Sequence, residues 1–287
     1  KKVKKPSRKL KTKENGSMVV CLSDWQMGKR DGDGTEGIVK RITQMIPDVL
    51  DRVKELRKTG NPINKLYVFG LGDLVEGCGD HYAMQQFSVE LDQRRQEMVA
   101  RRLLVKALKE WAPEFEKVVV VCIPGNHGEN RKNGKAFTNW GDNMDVSIFD
   151  HAQEILAENK AFKHVSFVIP DNELYLTLDI DGVILGAAHG HQFRTGGKYS
   201  HQKAVAWLSG QAFGKTDAGD VDILLSGHYH HLFVINEGQR TLMQAPSVDG
   251  GSEWFESLSG KNSFSGTLTF TIKSRENKLP WDNLQVL

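Results

Sequence analysis

Cysteine is scarce in this chain: 287 residues hold three, Cys21, Cys78 and Cys122. An odd count with no repeated spacing excludes a disulfide framework and fits a reducing compartment, the cytoplasm. Cys21 and Cys122 fall inside apolar runs and read as small buried hydrophobes. Long apolar stretches are missing as well. Nothing approaches the roughly 18 to 20 residues a membrane span needs, and the first residues carry no signal-peptide core, so no membrane partner is expected. Strong net charge is also absent, with 38 Lys and Arg against 36 Asp and Glu. The balance is uneven, however: eight of the basic residues lie in positions 1–13, and the body beyond them is mildly acidic. Residues 1–16 therefore read as a basic, disordered tail, with attraction to nucleic acid as the sharper alternative. Residues 17–287 read as a single α/β domain, since 39% hydrophobic content supports a full core and nothing divides it.

What the chain does have is one pattern used five times. In VVVVCIPGNHGE, residues 118–129, a short β-branched run ends in Pro124-Gly125 and then presents Asn126, His127 and Glu129. MVVCLSDWQ, KLYVFGLGDLVEG, VILGAAHGH and DILLSGHYHH likewise pass from an apolar run through Gly or Ser into Asp, Gln or His. Short apolar runs bounded by turn residues read as strands buried on both faces, and in open α/β sheets ligands gather beyond the carboxyl ends of such strands. Chemistry is expected at those ends.

Between the strands, helical spacing predicts a helix over residues 36–59 with Thr35 as N-cap, Gly60 as stop and a kink or division at Pro47. A second helix is predicted over residues 85–111. Its arginines, Arg94, Arg95, Arg101 and Arg102, share lines with Phe87, Leu91, Met98 and Val105. Arginine stems over apolar surface account for that mixture, and a groove for phosphates or for a second subunit, hence a homodimer, is the functional reading. Helices over 143–160 and 204–213 follow, with a hairpin at Asp181-Gly182 between strands 174–180 and 183–188. Later strands are predicted over 233–236, 241–245 and 267–272. A loop over 246–266 carries Trp254 and Phe255.

Six of the ten histidines fall in GNHG, AHGH and GHYHH, thirteen positions in all, where uniform scatter would place fewer than one. Folding a sheet brings Asp24, Gln26, Asp73, Asn126, His127, His189, His228 and His230 to one rim. Imidazole, carboxylate and carboxamide oxygen suit divalent ions such as manganese, iron or zinc, and the lack of Cys there argues against a structural zinc knot.

In this order the motifs resemble those of the calcineurin-like metallophosphoesterases: D-x-H, GD, GNH followed by an acid, a lone His, then GHxH. The resemblance spans about residues 19–272, and the exonuclease-like members of phage and bacterial genomes are the most similar. It implies a sandwich of two mixed β-sheets flanked by helices, four layers in the order αββα, here with a helical insertion at about residues 84–111. It also implies two divalent ions, Mn2+ first, with Mg2+, Fe2+, Zn2+ or Ni2+ as alternatives. Asp24, Gln26, Asp73 and His230 would hold the first ion, and Asp73, Asn126, His189 and His228 the second. His127 would be the general acid, with Glu76 where the family usually has an Asp that orients it. His191 and His231 match no ligand position. Two positions depart from the pattern. Gln26 replaces the usual His, a harder and weaker ligand that favours Mn2+ or Mg2+, and Gly128 stands where an acid is common, with Glu129 one step late.

The implied activity is phosphodiester hydrolysis by water activated between metals. The arginine-bearing helix, the basic tail and Trp254 and Phe255 tip the substrate towards DNA or RNA, a nuclease, with Arg94, Arg95, Arg101 and Trp254 as contacts. A phosphatase or cyclic-nucleotide phosphodiesterase is the alternative. A metal-poor binding or scaffold protein, motivated by Gln26, is the third reading.

Overall fold

The structure is a computed structural model that describes residues 16–251 and 263–287. The elements run β1 (Gly16–Leu22), α1 (Gly34–Lys58), β2 (Ile63–Gly70), α2 (Gln93–Trp111), β3 (Lys117–Cys122), β4 (Arg131–Lys132), β5 (Lys135–Ala136), α3 (Met144–Ala157) and β6 (Val165–Val168). They continue through β7 (Tyr175–Ile180), β8 (Val183–Ala188), α4 (Ser200–Gly214), β9 (Ile223–Ser226), β10 (Phe233–Glu237), β11 (Arg240–Gln244), β12 (Leu268–Ile272) and β13 (Trp281–Val286). One sheet has the order β13-β12-β1-β2-β3-β6 and the other β10-β11-β9-β8-β7, while β4 and β5 form a small ribbon.

Alternation along the strands builds the layers. In β1, Val20 and Leu22 face α1, α2 and α3, while Val19 and Cys21 face the second sheet. Val118 and Val120 of β3 repeat the first set, and Val119 and Val121 the second, so the central strand is buried on both faces as its composition predicts. On the far side of the second sheet, Leu224 and Leu242 pack with Ala204 and Leu208 of α4. The result is a mixed α/β fold of four layers, helices, sheet, sheet, helix.

Both sheets are mixed, and their parallel strands decide where chemistry goes. β1, β2, β3 and β6 run parallel in one sheet, as do β8, β9 and β11 in the other. Six of these seven carboxyl ends, all but that of β6, lead to one polar rim. The β7–β8 hairpin turns at Asp181 (φ 55°) and Gly182 (φ 86°), the left-handed pair a tight primed turn requires.

Several local expectations are corrected. α1 is not divided at Pro47, and it starts after Asp33 rather than Thr35. Trp111 Nε1 donates to the Ile46 carbonyl at 2.9 Å, pinning α2 against the proline turn. α2 begins at Gln93 rather than at 85, because the Asp92 side chain caps it by accepting from Arg95 N. Residues 85–87 form a separate 3-10 turn. Phe87 and Leu91 are therefore off the helix, and its buried residues, Gln96, Ala100, Leu103, Leu104, Ala107, Leu108 and Trp111, form an ordinary inward stripe. Arg94, Arg95 and Arg102 are exposed and Arg101 is half-buried, so the arginines do segregate. β6 and β13 lack a sequence expectation. The basic tail, apart from Gly16, and Trp254 and Phe255 lie outside the described residues.

Candidate metal centre

The loops after six of the parallel strands deliver polar groups to one rim: Asp24 and Gln26 after β1, Asp73 and Glu76 after β2, Asn126 and His127 after β3, His189 and His191 after β8, His228 and His230 after β9, and Asp249 after β11. The two sheets meet there. His189 Nδ1 donates to the Leu71 carbonyl at 2.6 Å, and the His228 backbone N–H donates to Asp24 Oδ2 at 3.0 Å.

Five of these residues hold a left-handed backbone: Asp24 (φ 49°), Gln26 (φ 50°), Asp73 (φ 55°), His228 (φ 71°) and His230 (φ 59°). Such a conformation is uncommon outside glycine and clusters where function over-determines it. Glycine clears the space these loops need. A Cβ on Gly125 would lie 2.2 Å from Asp73 Oδ1, and one on Gly227 would lie 2.1 Å from Ser23 Oγ.

Asp73 is fixed by one oxygen only. His127 N donates to its Oδ1 at 2.8 Å, while its buried Oδ2 has no hydrogen-bond partner although His189 Nε2 stands 2.9 Å away. With Nδ1 of His189 donating to Leu71, Nε2 presents a lone pair. Asn126 Oδ1 is a further acceptor, 3.0 Å from the same nitrogen. When His189 is neutral, three electron-rich atoms therefore converge without a donor among them, and Asp73, His189 and His228 offer ligand atoms within 4.8 Å of one another. This arrangement fits a divalent cation. A proton on His189 is the substitute in the metal-free state: burial disfavours it, but the Asp73 carboxylate prevails and raises the pKa to about 9. His228 is pushed down to about 3, chiefly by burial, and needs no deprotonation to ligate.

The neighbouring set is looser. Asp24 Oδ1 lies 3.2 Å from His230 Nε2, and Ser23 Oγ also donates to Asp24. Burial works against a charged His230, yet Asp24 and Asp249 hold its pKa well above the usual range. Gln26 is buried with Nε2 unpaired. Since an amide's two ends exchange on rotation, this is an end that fits an oxygen turned to a cation.

The expected His127–Glu76 pair takes a different form. His127 Nδ1 donates to the Glu76 main-chain carbonyl at 2.7 Å, and the nearer carboxylate oxygen is 3.8 Å off. Tyr82 Oη donates to Glu76 Oε1 at 2.7 Å instead, and burial raises the Glu76 pKa. Glu129 pairs with Arg131 at 2.5 Å. His191 packs against His189 and His228, and burial pushes its pKa down to about 3. His231 turns away, with Nδ1 donating to the Tyr229 carbonyl at 2.8 Å. The arginines of α2 make no contact here: Arg95 pairs with Asp92 at 3.5 Å, and Arg94 and Arg101 form no ion pair among the described residues.

Four residues at the site carried no sequence expectation. Asp145, buried in the first turn of α3, accepts from the backbone of Asp73 and Leu74 at 2.8 Å and Gly125 at 3.0 Å, fixing two loops at once. Burial, then the Asp73 charge, raises its pKa to about 6. Asp249 accepts from Lys29 and from Ser247 Oγ at 2.7 Å, and stands 3.6 Å from His230 Nδ1. His81 and Tyr82 come from the loop before α2. Asn143-x-Asp145 at a helix start is the one local signal available, and it indicates capping rather than a site.

The calcineurin-like phosphoesterase family model matches residues 18–232. Among solved structures, a hypothetical protein from Pyrococcus horikoshii OT3 is 11% identical, with 96% of this chain and 88% of that one covered and a TM-score of 0.46. Vacuolar Protein Sorting 29 from Cryptosporidium parvum is 14% identical, with 90% and 86% covered and a TM-score of 0.40. An archaeal phosphodiesterase is 12% identical, with 94% and 99% covered and a TM-score of 0.40. No curated protein matches the chain.

Proposed function

The chain belongs to the calcineurin-like phosphoesterase family, and from that premise we propose that it hydrolyses phosphodiester bonds with divalent metal held at the strand-end rim, nucleic acid being the substrate class. The observation that carries the metal-dependent part is the convergence of Asp73 Oδ2, Asn126 Oδ1 and His189 Nε2 on one buried point. Asp73, Asn126, His189 and His228 hold one ion in this reading, and Asp24, Gln26, Asp73 and His230 a second, with manganese preferred where the Gln26 amide oxygen replaces imidazole. Bound metal supplies neutralisation of phosphate charge and activation of water.

The chain's own groups do the rest. His127 Nδ1 is committed to the Glu76 carbonyl, so Nε2 is the atom that carries a proton to the leaving oxygen. The His127 backbone N–H holds Asp73 Oδ1 and so keeps Oδ2 free for the cation. Asp145 fixes the loops that bear Asp73 and Asn126 through three backbone donors. Lys29, Ser247 and Asp249 brace His230 from behind.

The nucleic-acid part rests on the eight basic residues in positions 1–13 and the exposed arginines of α2. A substrate panel tests it: manganese-loaded protein against single- and double-stranded DNA, RNA, bis-p-nitrophenyl phosphate and p-nitrophenyl phosphate. Turnover of the diester and of a polynucleotide is expected. Turnover of the monoester alone would make the protein a phosphatase, and inertness with metal bound would make it a binding protein.

A further inference from the structure

Asn126 is held from both sides. Its Oδ1 lies 3.0 Å from His189 Nε2, and its Nδ2 lies 3.0 Å from His81 Nε2. A carboxamide is nearly symmetric in shape, so rotation by 180° exchanges donor and acceptor, and the neighbours alone decide which end faces inward. On the inner side the sense depends on His189. Nε2 with a proton donates to Oδ1, whereas Nε2 without one, Nδ1 being bonded to the Leu71 carbonyl, draws an amide N–H towards the pocket until a cation takes its lone pair. Turned that way, Asn126 presents the wrong end to a cation. On the outer side stands His81. When its Nε2 accepts, Nδ2 is drawn outward and Oδ1 is left facing Asp73 Oδ2 and His189 Nε2.

We propose that His81, as the tautomer protonated on Nδ1, is the positioning residue that keeps the Asn126 oxygen turned towards the metal site. Its own Nδ1 is buried without a hydrogen-bond partner, a cost of this tautomer that the bond between Asn126 Nδ2 and Nε2 offsets. The ring is braced for this work. His81 N donates to Gln85 Oε1 at 2.9 Å, and Gln85 Nε2 donates at 2.7 Å to the Glu76 carbonyl that also accepts from His127. The His81 and His127 rings pack with centroids 4.2 Å apart. One short loop therefore places the proton-carrying imidazole and the imidazole that sets Asn126. The inference rests on the reading of Asn126 as a ligand.

The test joins a spectrum to a rescue. In protein loaded with zinc or magnesium, both diamagnetic, long-range nitrogen–proton correlation of labelled histidine should show His81 with Nδ1 protonated and Nε2 bare. Metal affinity of His81→Ala should fall about 10- to 100-fold, the usual cost of losing an outer partner of a ligand. Glutamine places its Oε1 near the Nε2 position and asparagine reaches only the Nδ1 position, so His81→Gln should recover most of the affinity and His81→Asn should not. Circular dichroism establishes that each variant is folded. A proton on Nε2 in the loaded protein overturns the proposal, as does equal weakening in all three variants. Normal affinity in His81→Ala while Asn126→Ala is weakened also overturns it, and leaves the ligand reading standing. Normal affinity in Asn126→Ala removes the ligand reading itself, and the proposal with it.

Discussion

His127 Nδ1 donates to the Glu76 main-chain carbonyl at 2.7 Å, while the Glu76 carboxylate is 3.8 Å away and accepts from Tyr82. Orientation of the imidazole is thus a backbone property, and the side chain contributes only charge. Glu76→Gln keeps the carbonyl, so it should slow turnover by less than about tenfold, whereas His127→Ala should slow substrates with alkoxide leaving groups by roughly 10² to 10⁴. A p-nitrophenolate leaving group needs little protonation and should suffer much less. Steady-state rates on paired substrates decide this, and equal losses for both leaving groups would remove the general-acid role.

Metal uptake should depend on pH through His189. Its pKa is raised to about 9 in the metal-free protein, so between neutrality and pH 9 a cation displaces one proton. Affinity should rise by about tenfold per pH unit over that range and level off above it. The same proton stabilises the metal-free fold fully below about pH 6.5 and ceases to do so as pH rises through 9. Calorimetric titrations in buffers of different ionisation enthalpy measure the released proton directly. Affinity that is flat from pH 7 to 9 would contradict the assignment.

Gln26→His replaces an amide oxygen with imidazole and should tighten the set built on Asp24 and His230, shifting its preference from manganese towards zinc. Competition titrations with a chromophoric chelator read this out. Overlaid curves for the two proteins would mean that Gln26 is not a ligand.

Asp145→Asn removes a buried acceptor that serves three backbone donors. An asparagine has one acceptor oxygen and turns an NH2 towards the remaining donors. The expected loss is about 1–3 kcal/mol of stability in urea unfolding, with weaker metal binding at the Asp73 site. Unchanged stability and affinity would show that the loops do not depend on this carboxylate.

The strands and the ends that carry polar groups are legible in the sequence because each apolar run is short, buried on both faces and stopped by glycine or serine. The left-handed turns that follow, at Asp24, Asp73, His228 and their neighbours, are not legible, since nothing local demands them of those residue types. Asp145 reads as an ordinary first-turn acid, and Asp249 as one more polar residue in a loop rich in Gly and Ser; both act through space. The start of α2 misleads for another reason. Helical spacing persists upstream through Phe87 and Leu91, but Asp92 captures Arg95 N, and Gln85 and His81 are used by Glu76 and Asn126 instead.

The central claim is that Asp73 holds metal while His127 carries a proton. Metal content after dialysis, measured together with diester hydrolysis on Asp73→Asn and His127→Ala, tests it most directly. Asp73→Asn should retain no metal and no activity towards any leaving group, while His127→Ala should retain the full metal content of the unmutated protein and lose activity only where the leaving oxygen needs a proton. Full metal content in Asp73→Asn, or metal loss in His127→Ala, would contradict it.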